Sequence, residues 1–317
     1  MYNADLKTQF IRSYTESVST ANAVRDMFNY IEPVEKKYDT DVACMTTDQA
    51  VEAISTLQSL RASSMEYRIA ALRAYVNWNI SVGTAGVNKD VSLVEPKGFD
   101  HIRHMMIKDP THLSSILNKV FAPVNENTME NIYRFYLWMH YAGMNDEQIL
   151  SCRKQDIDYK RMEIVVDGHS FPIYRECLDV VSFCADAEEI AERHKLMMDI
   201  RDTATRYPGD ELYRGARKTT NKNSARVIIF QFLQNAYNDG IIDVKISRRV
   251  LHLSGIFYRM YEREMNGFPV DFTEDATNEM QGRTYKVNES FTINVKRKRI
   301  MRDFEEDYVN WKNAFYL

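Results

Sequence analysis

The sequence predicts a mainly α-helical protein with a small β-hairpin, divided into two domains. Three observations carry this. Apolar residues recur at helical spacing along most of the 317-residue chain. Gly and Pro are scarce, at 11 and 7, which leaves little material for long loops. The helical pattern dissolves most clearly over 83–98, GTAGVNKDVSLVEPKG, which reads as a linker. A chain of this length is expected to bury two cores. We therefore expect a helical domain over 1–85, a linker over 86–109 and a larger domain over 110–317.

The elements follow in order. Ser19 and Thr20 are capping residues for a helix over 21–38 with Val24, Met27, Phe28 and Ile31 on one face, interrupted near Pro33. A second helix opens at Thr46-Thr47-Asp48 and carries Val51, Ile54, Leu57 and Leu60. The third has Ser63 or Ser64 as cap, Glu66 close to the box position, and Ile69, Leu72, Val76 and Ile80 facing one way. Beyond the linker, helices are expected over 113–121 and 129–141, the second ending in Gly143. Asn145 and Gln148 have the spacing of a capping box for the amphipathic stretch 147–152. Two short apolar runs, 162–166 and 170–174, flank Asp167-Gly168, a two-residue turn signal, and predict a β-hairpin. Helices are expected again over 176–202, 224–238, 246–266 and 302–315, with an irregular or extended stretch over 282–295.

Net charge is −4, but the distribution is uneven: residues 213–302 carry 17 basic groups and 9 acidic ones, in a chain that is otherwise acidic. Such an excess suits a face that meets a polyanion, or a solvated lysine-rich surface. The 13-residue run RGARKTTNKNSAR over 214–226 supplies Arg214, Arg217, Lys218, Lys222 and Arg226. Between them stand Gly215, Thr219, Thr220, Asn221 and Asn223, small or hydrogen-bonding types that fit phosphate oxygens and base edges. Arg248 and Arg249 open the next helix and can make forked contacts with a guanine. Lys296, Arg297, Lys298 and Arg299, with Arg302, form a third basic cluster. Arg68 and Arg73, five residues apart on the third helix, need not share a face, and Tyr67, Tyr75 and Trp78 beside them are expected in the core. An acidic patch over 303–307 precedes an aromatic tail, Tyr308, Trp311, Phe315 and Tyr316, which can dock on another subunit or fold back on its own domain.

No run of about 18 apolar residues and no leader-like start is present, so a cytoplasmic protein without a membrane contact is expected. Cys44, Cys152, Cys177 and Cys184 lack paired metal spacing and read as structural thiols. Neither a metal constellation nor a phosphate-cradling glycine loop is visible, so no cofactor and no metal are expected.

This order of elements resembles the tyrosine recombinase (phage integrase) family. The run SMEYRIAALRAYVNW over 64–78 is similar to the family's core-binding helix. The run YAGMNDEQI over 141–149, followed by QDID over 155–158, is similar to its Gly-Leu-Arg-x-x-Glu-Leu segment and sequel. The run RVLHLSGIF over 249–257 resembles its His-x-x-Arg helix. The resemblance implies a two-domain, recombinase-like clamp in which a helical core-binding domain and a catalytic-like domain enclose double-stranded DNA.

Chemistry in that family uses two arginines, a lysine and a His or Trp to meet the charge developing on the scissile phosphate, and a tyrosine nucleophile. At the matching positions stand Asn145 for the first arginine, Gln148 for the glutamate, and Arg249 and His252 with their types reversed. The hairpin tip over 166–172, VDGHSFP, has no lysine. Tyr285 is the nearest nucleophile candidate after Gly282-Arg283, and no Tyr stands over 291–293. The expectation is a protein that is not an enzyme: a site-specific DNA-binding repressor of transcription that maintains prophage lysogeny, cytoplasmic and nucleoid-associated in a bacterial host. The alternatives are a divergent active recombinase using Tyr285, His252 and Arg249, and a helical adaptor that binds protein through its acidic middle and aromatic tail.

Overall fold

Side-chain caps set most helix starts. Ser17 accepts from the Thr20 amide at 3.4 Å and opens a helix one turn earlier than Ser19 or Thr20 would. The computed structural model describes all residues except 58, 60–61, 96–99, 122–123, 125–127, 194–200, 216–221 and 271–289. Its first helices are α1 Ala4–Tyr14, α2 Val18–Tyr38, α3 Thr47–Ser55 and α4 Ala62–Ser81. The expected interruption at Pro33 does not occur. Val24, Met27, Phe28, Ile31 and Val34 are buried along one face of α2, and that burial outweighs the single hydrogen bond a proline nitrogen cannot donate. Thr46 and Gln49 form a capping box for α3. Leu57 is buried beyond the end of α3, whereas the expected Leu60 lies outside the described residues.

The chain divides into two compact units, one of Met1–Ile102 with Val309–Ala314, the other of Arg103–Tyr308 with Phe315–Leu317. In the first unit Tyr75 is fully buried, Trp78 packs against the core, and Tyr67 is exposed, the last against expectation. Val91 and Val94, on and just after a 3₁₀ turn over Lys89–Leu93, join the same core. Lys7 and Glu35 are both wholly buried and paired: the Lys7 ammonium donates to Glu35 Oε2 and lies 4.9 Å from the Phe28 ring. Glu35 Oε1 accepts from the Val42 amide at 2.9 Å, and Asp41 Oδ2 from the Tyr75 hydroxyl at 2.9 Å.

The second unit follows α5 Asp100–Arg103 with α6 Pro110–Val120, capped by Asp109 and started by Pro110, and α7 Met129–Ala142, ended by Gly143 at φ 112°. Asn145 and Gln148 cap α8 Asp146–Ser151 reciprocally, each bond 2.9 Å. Strands β1 Ile157–Asp158, β2 Glu163–Val166 and β3 His169–Pro172 form an antiparallel sheet in that order, with Val166 opposite His169. Asp167 and Gly168 both have positive φ, 52° and 76°, as a type I′ turn requires.

Helix α9 Leu178–Asp186 is shorter than expected. Where the sequence suggests helix to 202, β4 Glu189–Arg193 and β5 Arg201–Thr205 pair antiparallel. Ile190, Thr203 and Thr205 favour strand, but the Glu, Ala and Asp residues around them do not. Tertiary pairing decides: Ala191 bridges to Thr128 and Ile190 is fully buried. Helices α10 Lys222–Asn238 and α11 Arg248–Met265 follow, then α12 Ser290–Tyr316. Residues 290–295, expected to be irregular, are thus helical, and 282–289 lie outside the described residues. Phe304 and Tyr308 of α12 pack edge-on against Phe257, and Tyr316 stacks on Tyr261 at 3.9 Å, so this aromatic tail folds back on its own chain.

Helices α7 and α11 approach closely. A Cβ on Gly255 would sit 1.8 Å from the Tyr141 carbonyl oxygen, and Arg259 Nη1 donates to that same oxygen at 3.0 Å. Only glycine fits there. Gly255→Ala is expected to destabilise the protein by about 3 kcal/mol, the upper range of over-packing, when measured by urea unfolding. An unchanged or raised stability, reflecting the roughly 1 kcal/mol helix preference of Ala over Gly, would show that the helices can part freely.

Candidate functional site

The site grows from the end of α7 and the start of α11. Tyr136 and His140 stand one turn apart on α7 and therefore share a face. Gly143 stops the helix, and the Asn145 cap turns the chain so that Asp146 is the first residue of α8. Ser247 caps α11 by accepting from the Val250 amide at 3.2 Å, which places Arg248 at the first position of that helix. The two helices bring these residues together across 102 positions of sequence.

Asp146 is the hub. Its Oδ1 accepts from the Tyr136 hydroxyl and from His140 Nε2, the latter at 3.0 Å. Its Oδ2 accepts from Arg248 Nη1 at 2.7 Å and lies 3.7 Å from Arg226 Nη1 of α10. The side chains of Asp146 and His140 are 11% and 4% exposed, whereas those of Arg248 and Arg226 are 39% and 35% exposed. The carboxylate is therefore held inside, and the guanidinium groups remain partly at the surface. With two arginines against one carboxylate, the edge keeps a net positive charge, and each guanidinium retains donors beyond those it commits to Asp146.

Burial alone would raise the Asp146 pKa. Hydrogen bonds from His140 and Tyr136, with the charges of His140 and Arg248, overcome it and hold the carboxyl well below the usual range. Burial also raises Tyr136, with Asp146 adding to it, so the phenol stays a donor.

The other sequence candidates fall into distinct surroundings. Arg249 is exposed beside Arg248, and His252 is buried on α11 at 8% exposure. Arg214 donates to the Tyr207 carbonyl at 3.3 Å. In the first unit, Arg68 donates to the Leu57 carbonyl at 3.1 Å and lies 4.8 Å from the Tyr30 ring, and Arg73 pairs with Glu95. Arg217, Lys218 and Tyr285 lie outside the described residues. Lys222, Lys296 and Arg297 fall on helices whose side chains are not described there. The site residues brought together are thus Arg226 and Arg248, joined by three that the sequence reading passed over: Asp146, His140 and Tyr136. The i, i+4 spacing of Tyr136 and His140 was a usable signal, but their partners lie too far along the chain for any local pattern.

Arg206 was also passed over. It is 2% exposed and donates only to carbonyls, those of Arg214, Phe183, Cys184, Ala187 and Leu212, with its pKa pushed down to about 10 by burial. It ties the end of α9 to the segment over 212–214. Burial pushes the Cys152, Cys177 and Cys184 thiols up to about 12, which makes them poor nucleophiles at neutral pH. Among the described residues no group of three or more His, Cys, Asp or Glu could hold a metal, and no helix is long and apolar enough to cross a membrane.

Residues 1–81 match the family model of the MrpR N-terminal core-binding domain. The chain is also 27% identical over 117 residues to the tyrosine recombinase XerC of Proteus mirabilis, covering 37% of this chain and 36% of that protein's length. A solved structure of the XerA recombinase aligns over 94% of this chain and 98% of its own, with 13% identity and a TM-score of 0.38.

These findings correct one expectation. The absence of the recombinase residue types at Asn145, Gln148 and the hairpin tip was read as the absence of enzyme activity, yet the curated relative is a recombinase, an enzyme. Matching single positions through short, degenerate strings does not determine which groups would face a phosphate, so that inference does not stand.

The linkage at Asp146 has a definite sign. A carboxyl whose folded pKa is depressed contributes stability that is fully present above its unfolded pKa, near 4, and is lost as pH falls through the folded value. Wild type is therefore expected to exceed Asp146→Asn in stability near pH 6, and the margin is expected to shrink steadily below about pH 4. Urea unfolding across that range measures it; a margin independent of pH would remove the charged role of Asp146.

Proposed function

We propose that this chain is a sequence-specific double-stranded DNA-binding protein, related to the tyrosine recombinases, that acts as a transcriptional repressor maintaining prophage lysogeny. The observation that carries the reading is the match of residues 1–81 to the MrpR core-binding domain. The cationic edge formed by Arg226 and Arg248 in the second unit supports it chemically. In this reading 1–85 is the core-binding domain, 86–109 the linker and 110–317 the recombinase-like domain, and both domains supply phosphate contacts. Arg68, Arg73, Arg214, Arg217, Lys218, Lys222, Arg226, Arg248, Arg249, Lys296 and Arg297 are the contact candidates. Phosphate contacts give affinity and register, and contacts to base edges give the sequence preference a repressor needs.

The likeness to XerC favours a second reading, in which the chain also cuts and rejoins DNA. A covalent protein–DNA adduct formed on a nicked suicide substrate is its readout, and Tyr285→Phe tests the candidate nucleophile.

The first reading is tested by incubating the purified protein with fragmented phage and host DNA and sequencing what stays bound. A recurring motif beside promoters is expected, with affinity falling about a thousandfold or more between ~50 and ~200 mM salt if about six phosphates are contacted. Uniform recovery, or affinity indifferent to salt, would overturn it and favour an adaptor that binds protein. Self-association through the C-terminal tail, which requires the tail to leave its packing on its own chain, belongs to the same proposal. It predicts a mass that rises with concentration in light scattering, and a monomeric mass at every concentration removes it.

A further inference from the structure

Asp146 and the four residues around it do something that a loose patch of surface cations cannot. A free arginine side chain must give up most of its rotamer freedom to hold one phosphate. A guanidinium already held by a buried carboxylate has given up that freedom on folding. Here the carboxylate is itself fixed: one oxygen is occupied by Tyr136 and His140, and the other faces Arg248 at 2.7 Å and Arg226 at 3.7 Å. The Asp146 side chain is 11% exposed against 39% and 35% for Arg248 and Arg226, so the carboxylate is the most enclosed member of the ion pairs.

We propose that Asp146 is a positioning residue for a DNA-phosphate site: anchored by Tyr136 and His140, it holds Arg248 and Arg226 in a fixed fork whose remaining N–H donors face the phosphodiester backbone. This rests on the DNA-binding reading above. The opposite role, a carboxylate standing in the place of the phosphate, would require Asp146 to leave when DNA arrives. An anion with both oxygens engaged by four partners is poorly arranged for that.

The two roles differ in sign. Removing a negative charge from a DNA-facing surface ordinarily tightens binding. If Asp146 positions the arginines, Asp146→Asn weakens it. The test uses the full chain and the duplex recovered in the binding experiment above, with affinity followed by fluorescence anisotropy across a salt series. Asp146→Asn is expected to lose about tenfold in affinity, and the slope of log affinity against log salt to shrink by about one phosphate, ~0.9. Arg248→Ala is expected to show a similar loss, and the double variant to lose less than the sum of the two single losses, the remainder reflecting Arg226.

Equal or tighter binding by Asp146→Asn, or losses that simply add in the double variant, would overturn the proposal. If Asp146→Asn proves unfolded in a thermal melt, Tyr136→Phe takes its place. That change removes one anchor of the carboxylate and should lower affinity with the same non-additivity toward Arg248→Ala, and unchanged affinity overturns the proposal. Wild-type protein that shows no salt-dependent affinity for any duplex is a separate result: it removes the DNA-binding reading itself.

Discussion

The second unit depends on one close contact, between Gly255 of α11 and the Tyr141 carbonyl of α7. A helix carbonyl near a C-terminus lacks a full set of intrahelical partners, and a second helix can come this close only where it has no side chain. Arg259, one turn beyond Gly255, donates to the same carbonyl, so the approach is held by a charge-assisted hydrogen bond as well as allowed by the missing Cβ. Ser254, next to Gly255, accepts from the Ile107 amide at 3.0 Å and ties the entry of the unit to the same helix. With this crossing in place, the end of α7 and the start of α11 face each other. Asp146 and Arg248, far apart in sequence, then meet as a geometric consequence.

What meets there is an unequal charge group. Burying a carboxylate is unfavourable unless its oxygens are satisfied, and Asp146 is satisfied by a phenol, an imidazole and two guanidinium groups. The partners are unequally buried, and this sets the direction in which the group presents its charge. Tyr136 and His140 close it from the core side, and the arginines carry the surplus outward. The first unit solves a similar problem differently. Lys7 and Glu35 are both wholly buried and balance one another one to one, with the Val42 amide and the Phe28 ring completing the cage, so nothing is left to present. One ionic cluster specifies a core, and the other has charge to spare.

Much of the fold was legible because it is written locally. The Asn145–Gln148 box, the helix start at Thr46-Thr47-Asp48, the Gly143 stop and the Asp167-Gly168 turn each depend on residues within a few positions of one another, and each stands in the structure. What was missed depends on distance. The β4–β5 pair has few strand-favouring residues and exists because Ala191 reaches Thr128 and Ile190 reaches the core. Pro33 looks like a breaker until the buried face of α2 is counted against it. The basic residues of the candidate site were visible as a charge excess, but the acid that organises two of them was not. A lone Asp in a capping segment carries no local mark of having partners on α7, α10 and α11. Position-by-position reading of the recombinase resemblance also went too far at Asn145: its side chain is explained by the cap, and this says nothing about activity.

The arginines described here fall into an order that bears on how a polyanion could use them. Arg206 is spent entirely on carbonyls inside the protein, and moving it would take the donor away from those of Cys184, Ala187, Leu212 and Arg214. Arg73 pairs with Glu95, a residue whose side chain is 73% exposed, and such a surface pair is worth at most about 1 kcal/mol, so a phosphate can replace the carboxylate at little cost. Arg68 holds a carbonyl and an aromatic face, and a new partner would have to share it. Arg249 is exposed and must be ordered by whatever it binds. Arg248 and Arg226 differ from all of these, because they are held by a more enclosed acid they do not have to release. A cation that is both ordered in advance and still accessible loses least on binding. That combination, rather than the count of basic residues in the sequence, distinguishes the Asp146 edge from the rest of the basic surface.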